Sequence, residues 1–146
     1  MENKEFIDLM EIRLLLESHI ATMAAQHRTI DDIISLKNAM QICEDKVQAG
    51  QSAIEDDLFF HLKIADAANN KTLKSLLLII VTRLLHIAAK YKDETCAEKF
   101  ENAIKEHEQI FEHILYQERE LAAQAMRKHL QVNYADMLVE PLDHLV

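Results

Sequence analysis

Residues that break helices or favour strands are scarce in this chain. Among 146 residues there is one glycine, one proline and no tryptophan, and aromatic side chains make up 5%. So few breakers and β-formers argue against a strand-rich fold and predict an all-helical protein. Only two cysteines occur, Cys43 and Cys96, and no paired motif surrounds either, so neither a disulfide framework nor a thiolate metal cluster is expected. Cys43 falls in the stripe Ile33, Leu36, Met40, Val47 and reads as a reduced core thiol. Basic clusters are missing too. With a net charge of −9, the chain is a poor candidate for gripping a phosphate backbone by itself. No apolar run reaches the roughly 18 residues of a membrane span, and no signal peptide precedes the first helix. The densest run, Leu76 to Val81, is bounded by Lys74 and Arg83 and reads as a buried helical segment. A cytoplasmic protein with no membrane partner is expected.

What is present is apolar content of 49% arranged at helical spacing, in a chain long enough for one domain with an ordinary core. The pattern predicts helices over about Phe6 to His27, Asp31 to Ala49, Ser52 to Asn69, Thr72 to Tyr91, Ala97 to Tyr116 and Glu120 to Leu138. Thr29 or Asp31 can cap the second helix. Gly50 stands where that helix should stop. Ser52, with Glu55 three residues on, suggests a capping box for the third. Asn69 tolerates a left-handed helix end and Asn70 can cap the next helix. The fourth helix is apolar nearly all round and is expected at the centre, with Arg83, His86 and Lys90 forming one polar stripe on it. Pro141 is expected to end anything helical.

Several polar groups interrupt the apolar stripes. On the third helix Ile54, Asp57, His61, Ile64, Ala65 and Ala68 share a face, so Asp57 and His61 sit one turn apart against the core. His107 lies in register with Phe100, Ile104, Phe111 and Ile114. His129 lies in register with Ala122, Ala125, Val132 and Asp136. A lone inward imidazole is usually a hydrogen-bonded core residue, but each unpaired buried polar group costs about 1–3 kcal/mol. One carboxylate and three imidazoles from three helices together form a borderline ligand set. It suits zinc, nickel, manganese or iron. Arg13 and Glu17 occupy the apolar face of the first helix, either as an internal ion pair or with Arg13 turned to an anionic ligand. Glu106 and Glu108 flank His107 but sit off its stripe, and His113 reads as solvated.

The same residues carry a resemblance. Asp57-Leu-Phe-Phe-His61 with Ile64-Ala-Asp-Ala-Ala-Asn-Asn70 resembles the D-x-x-F-H…N signature of the FadR-type C-terminal (FCD) effector-binding domain of GntR-family transcriptional regulators. Asp8-Leu-Met-Glu-Ile-Arg13 through Glu17, then Ala24 and Ala25, is similar to the family's opening segment. Glu106-His107-Glu-Gln-Ile110, then Ala122 through Ala125, Met126 and His129, is similar to its closing one. The likeness runs from about residue 8 to 138 in the family's order. Asn69 stands where a glycine is common.

The resemblance implies an antiparallel bundle of six or seven helices that holds a divalent metal, zinc first, with Asp57, His61, His107 and His129. It implies a small carboxylate effector, such as a hydroxy acid, dicarboxylate or sugar acid, and it places Arg13 and Asn70 at the effector pocket. Arg83 and His86 are counted with them as expected ligand-binding residues, His86 packing near the cavity wall. A homodimer is expected, meeting DNA only through the family's winged-helix domain, which this chain lacks. Two rival readings are a helical metalloenzyme, with Glu106 or Glu108 imagined as general base, and a metal-free dimerisation module.

Overall fold

A computed structural model describes the backbone of residues 2–89 and 97–143, with side chains placed over 4–89 and 101–133. Among the described residues six helices follow one another: α1 Glu2–His27, α2 Ile30–Gln48, α3 Ile54–Ala67, α4 Lys71–Ala89, α5 Ala97–Leu115 and α6 Arg119–Asp143. No strand occurs among the described residues. The all-helical expectation and the count of six both hold. Tyr91, Lys90 and Cys96 lie outside the described residues, as do the side chains of Phe100 and Asp136.

Short-range chemistry explains the helix ends. Thr29 caps α2 by accepting from the Asp32 N–H at 3.1 Å, and the Asp32 carboxylate accepts from the Thr29 N–H at 2.9 Å. This reciprocal pair satisfies two otherwise unpaired donors. Gly50 (φ +70°) turns the chain after α2, and Asn69 (φ +56°) does so after α3. Asn70 Oδ1 then accepts from the Leu73 N–H at 3.0 Å and opens α4. The Ser52–Glu55 box does not form. The helix starts behind Ala53, which is fully buried beside Cys43 and Val47 and has no capping side chain; packing of that methyl sets the start. Nor does Pro141 end α6, which runs on to Asp143. A proline that close to a terminus forfeits little hydrogen bonding.

α1 is the axis of the bundle. It packs against α3, α4, α5 and α6, while α2 bridges α3 and α5. Arg28, just past the end of α1, donates through Nη2 to the Leu115 carbonyl at 2.6 Å. A cation there complements the C-terminal dipole of α5 and holds the two helix ends together. α6 starts beyond Gln117 (φ +57°) and returns along α1 and α5. The core is formed by Met10, Ile20, Ala24, Leu36, Phe60, Ile64, Leu77, Ile110, Ile114, Met126 and Leu130. In α6 the inward stripe runs through Ala122, Met126, His129 and Leu130, leaving Val132 exposed. Val132 lies about 100° from the centre of that stripe at helical pitch.

α4 departs from expectation. It is apolar nearly all round, yet among the described residues it packs against α1 and α3 alone, at the edge of the bundle. By length and composition it could cross a membrane, and 28% of its most apolar stretch is buried. Leu77, Ile80, Val81, Leu84 and Ile87 nevertheless form a continuous inward face, which makes it a core helix with one side left open. Truncation should separate buried from exposed aliphatics. We expect Leu36→Ala to cost about 2–5 kcal/mol in urea unfolding, and Ile34→Ala, half-exposed on the same helix, to stay within about 1 kcal/mol.

Candidate metal centre

α1, α3, α5 and α6 converge where four polar side chains meet. Asp57, His61, His107 and His129 each offer one ligand atom, and these atoms lie within 4.8 Å of one another. All three imidazoles are buried and Asp57 is largely so. The spacing follows from helical pitch: Asp57 and His61 share a face of α3, and His107 and His129 hold inward positions on α5 and α6.

Two of the three histidine rings are fixed from behind by carboxylates. His61 Nδ1 lies 2.5 Å from Glu17 Oε1, and His129 Nδ1 lies 2.8 Å from Glu106 Oε1. A carboxylate can only accept, so both rings carry their proton on Nδ1 and direct the other nitrogen inward. The two Nε2 atoms face each other at 3.2 Å. In the neutral rings these are two lone pairs pointed at one another, an arrangement that calls for a cation between them. His107 Nε2 and Asp57 Oδ1 approach to 2.7 Å, but neither is aligned for a hydrogen bond to the other. Both point toward common space. Donors around a four-coordinate or six-coordinate ion with bonds near 2.1 Å stand about 3.0–3.4 Å apart, close to what these pairs show. The donor set therefore fits a divalent ion, with imidazole and carboxylate admitting zinc and its neighbours alike.

Charge states agree with that fit. Burial lowers the His107 pKa to about 4 despite the opposing pull of Asp57, so the ring is neutral at physiological pH. Burial would raise the Asp57 carboxyl, but His107 and the other two imidazoles hold it well below the ordinary carboxylate range. Phe60 packs on the His107 ring, centroids 4.4 Å apart, and limits its rotation. On the solvent side, His107 lines a cleft of about 340 Å³ between α2 and α5 together with Lys37, Gln41, Glu44, Ile104 and Glu108.

Arg13 forms the internal ion pair that was one of the two expectations made for it. It is buried and pairs through Nε with Glu17 Oε2, while its Nη2 is buried without a hydrogen-bond partner. Glu17 thus holds Arg13 with one oxygen and His61 with the other. Burial pushes its carboxyl up, but Arg13 and His61 outweigh this and lower it to about 2. Glu106 was expected off the site and instead supports His129; its position on the flank of α5 lets it reach across to α6. Asn133, one turn beyond His129, brings Nδ2 to 3.4 Å from His129 Nε2 and was missed because asparagine on a helix face carries no distinctive signal.

Three expected ligand-binding residues stand elsewhere. Asn70 is spent on capping α4, roughly 13 Å along the chain direction from His61 at helical rise. Arg83 is part-exposed and donates Nη2 to Glu5 Oε2 at 2.9 Å on the outer side of α1. His86 is exposed on α4 rather than packed near a cavity wall. Because α4 sits at the edge, Arg83 and His86 face outward. His113 is partly exposed and pairs with Glu118.

Removing Glu17 should leave a buried guanidinium uncompensated. We expect Glu17→Ala to lose about 3–5 kcal/mol of unfolding free energy. Since its folded pKa lies below the ordinary 4.5, the stability it adds is complete above pH 4.5 and drains away toward pH 2. Urea titrations across that range should show a shallower acid loss for Glu17→Gln than for the native chain.

Comparison with known proteins agrees with this architecture. The FCD domain family matches residues 8–132. The HTH-type transcriptional regulator LutR of Bacillus subtilis is 29% identical over 141 residues, covering 94% of this chain and 64% of that protein. The Exu regulon transcriptional regulator of Escherichia coli is 30% identical over 129 residues, 85% of this chain and 48% of that protein. The Uxu operon transcriptional regulator of the same organism is 39% identical over 71 residues, 47% of this chain and 28% of that protein. The chain thus spans less than two thirds of the length of each, and all three are named as regulators, not enzymes. Among solved structures, Streptococcus agalactiae GntR superposes with a TM-score of 0.78 at 28% identity, covering 88% of this chain and 57% of that one. E. coli McbR/YncC shares the fold, with a TM-score of 0.80 at 16% identity over 94% of this chain and 69% of that one. The chain belongs to the FCD domain family of GntR-type transcriptional regulators.

Proposed function

We propose that this domain is an effector sensor that binds a small carboxylate metabolite, a hydroxy acid, dicarboxylate or sugar acid, at a metal-dependent site. Asp57, His61, His107 and His129 would hold a divalent ion, zinc first, with nickel, manganese or iron as other occupants. The observation that carries the reading is the unspent Nη2 of Arg13, buried and joined through Glu17 to a ligand histidine. A buried donor without a partner costs about 1–3 kcal/mol, and a carboxylate would relieve it with a charge-assisted bond. Regulators of the Exu regulon and the Uxu operon and LutR, whose names place them in transcriptional control, support the regulatory role.

A bound divalent ion would supply open coordination positions for an effector carboxylate. The chain's own residues do the rest: Glu17 and Glu106 orient two of the rings, Arg13 receives the charge, and the α2–α5 cleft gives access past His107. The effector would draw α1 toward α3 and α5, and it can bias two arrangements only by its difference in affinity for them. In this reading the domain works as a cytoplasmic homodimer, with DNA met by a winged-helix domain outside this chain. It is not catalytic. Glu106, the candidate general base, is already committed to His129 Nδ1.

Metal analysis combined with thermal unfolding tests the proposal. We expect one divalent ion per chain, lost in the double substitution His61→Ala/His129→Ala, and about 10- to 100-fold weaker binding in Glu106→Gln. With metal loaded, a matching carboxylate at about 100 times its Kd should add about 2.7 kcal/mol, or roughly 5–10 °C in Tm. Arg13→Met should abolish that shift while retaining the metal. A metal-loaded chain indifferent to hydroxy acids, dicarboxylates and sugar acids alike would refute the sensor reading.

A further inference from the structure

Asn133 stands one turn beyond His129 on α6 and is part-buried. Among the described residues its carboxamide has a single contact, Nδ2 to His129 Nε2 at 3.4 Å. That contact fixes the orientation of the amide. His129 keeps its proton on Nδ1, against Glu106 Oε1 at 2.8 Å, so Nε2 only accepts and the amide turns its N–H toward it. The same lone pair is what His129 offers to the cluster. One lone pair serves one partner. A cation held there takes Nε2 from Asn133 and leaves a part-buried N–H beside the site without an acceptor.

A second donor lies on the same side of the cluster. α1 and α6 run antiparallel, with Gln117 Nε2 donating to the Gln26 carbonyl at 3.4 Å where they meet. His61 bridges the two helices, Nδ1 to Glu17 at 2.5 Å and Nε2 to His129 at 3.2 Å. Arg13 precedes Glu17 by one turn of α1, and Asn133 follows His129 by one turn of α6. Both therefore stand about 6 Å beyond the bridge, in the direction away from the Gln26–Gln117 end. Arg13 brings a buried Nη2 that has no partner. One end of the cluster is thus flanked by a cationic donor on α1 and a neutral donor on α6.

We infer that Asn133 is a specificity-determining residue, donating to an oxygen on the carbon next to the effector carboxylate that Arg13 receives. The inference rests on the sensor reading above and narrows its effector class to 2-hydroxy and 2-oxo acids. A neutral amide donor suits a hydroxyl or carbonyl oxygen, as a guanidinium suits a carboxylate. Oxygens on adjacent carbons can face one cation together, which a second carboxylate farther along the molecule cannot. A part-buried donor that loses its acceptor is costly, so a site built this way rejects the analogue lacking the oxygen. Without a cation Asn133 falls back on His129, and with cation and effector present it turns to the effector. Its N–H has an acceptor in both states.

Calorimetric titration of the zinc-loaded chain with matched acids is the experiment: 2-hydroxybutyrate against butyrate, malate against succinate, gluconate against 2-deoxygluconate. We expect the 2-hydroxylated member of at least one pair to bind the native chain more tightly. Asn133→Leu should narrow that preference about tenfold while binding the other member as before. Should Asn133→Leu lose its helical circular dichroism, Asn133→Ala decides in its place. Zinc affinity, read by competition with a chelating dye, should not fall in either variant, because Asn133 competes with the ion for Nε2. A preference that survives the substitution, or acids that bind the native chain without any preference, overturns the inference and leaves the sensor reading standing. Zinc binding weakened about tenfold or more would assign the amide to holding the metal site and overturns it too. If none of these acids binds the zinc-loaded chain, the sensor reading fails and this inference with it.

Discussion

A single buried carboxylate governs the interior of this bundle. Glu17 sits at 0% exposure between Arg13 and His61 and binds both. Burying either charge alone would cost several kcal/mol, and the pair is tolerated because each group satisfies the other. Its second consequence is chemical. By accepting from His61 Nδ1, Glu17 determines which nitrogen is free to look inward, as Glu106 does for His129. The cluster owes its donor character to these two acids as much as to the four side chains that form it.

α1 links this interior to the outside. Arg13 and Glu17 point in while Ile12 and Leu15 point out, so the residue proposed to receive an effector and an exposed aliphatic face share one rigid element. A ligand that displaces α1 by contact with Arg13 would change the relation between two paired chains, and pairing would in turn alter effector affinity by the same factor. The helix that shares the outer face, α4, contributes no group to the cluster.

Much of this was legible in the sequence because helical periodicity is a strong signal in a chain with one glycine and one proline. The inward placement of His61, His107 and His129 followed from the stripes they interrupt, and Asp57 from its place one turn before His61. The supporting acids were less visible. Glu106 lies on the flank of α5, and only the closeness of α6 brings it to His129, a tertiary fact without a local signature. α4 was misjudged for a related reason. Apolarity all round does not distinguish a central helix from a peripheral one whose open face is kept for another surface. Arg83 and His86 were carried outward by that error, and Asn70 was assigned to ligand when its side chain was already committed to capping.

X-ray absorption at the metal edge of the zinc-loaded chain tests the convergence of these four side chains most directly. The geometry requires a nearest-neighbour shell of nitrogen and oxygen at roughly 2.0–2.2 Å, with the multiple-scattering pattern of three imidazoles. A spectrum of hydration oxygens alone, without imidazole scattering, would mean that the histidines do not share a cation.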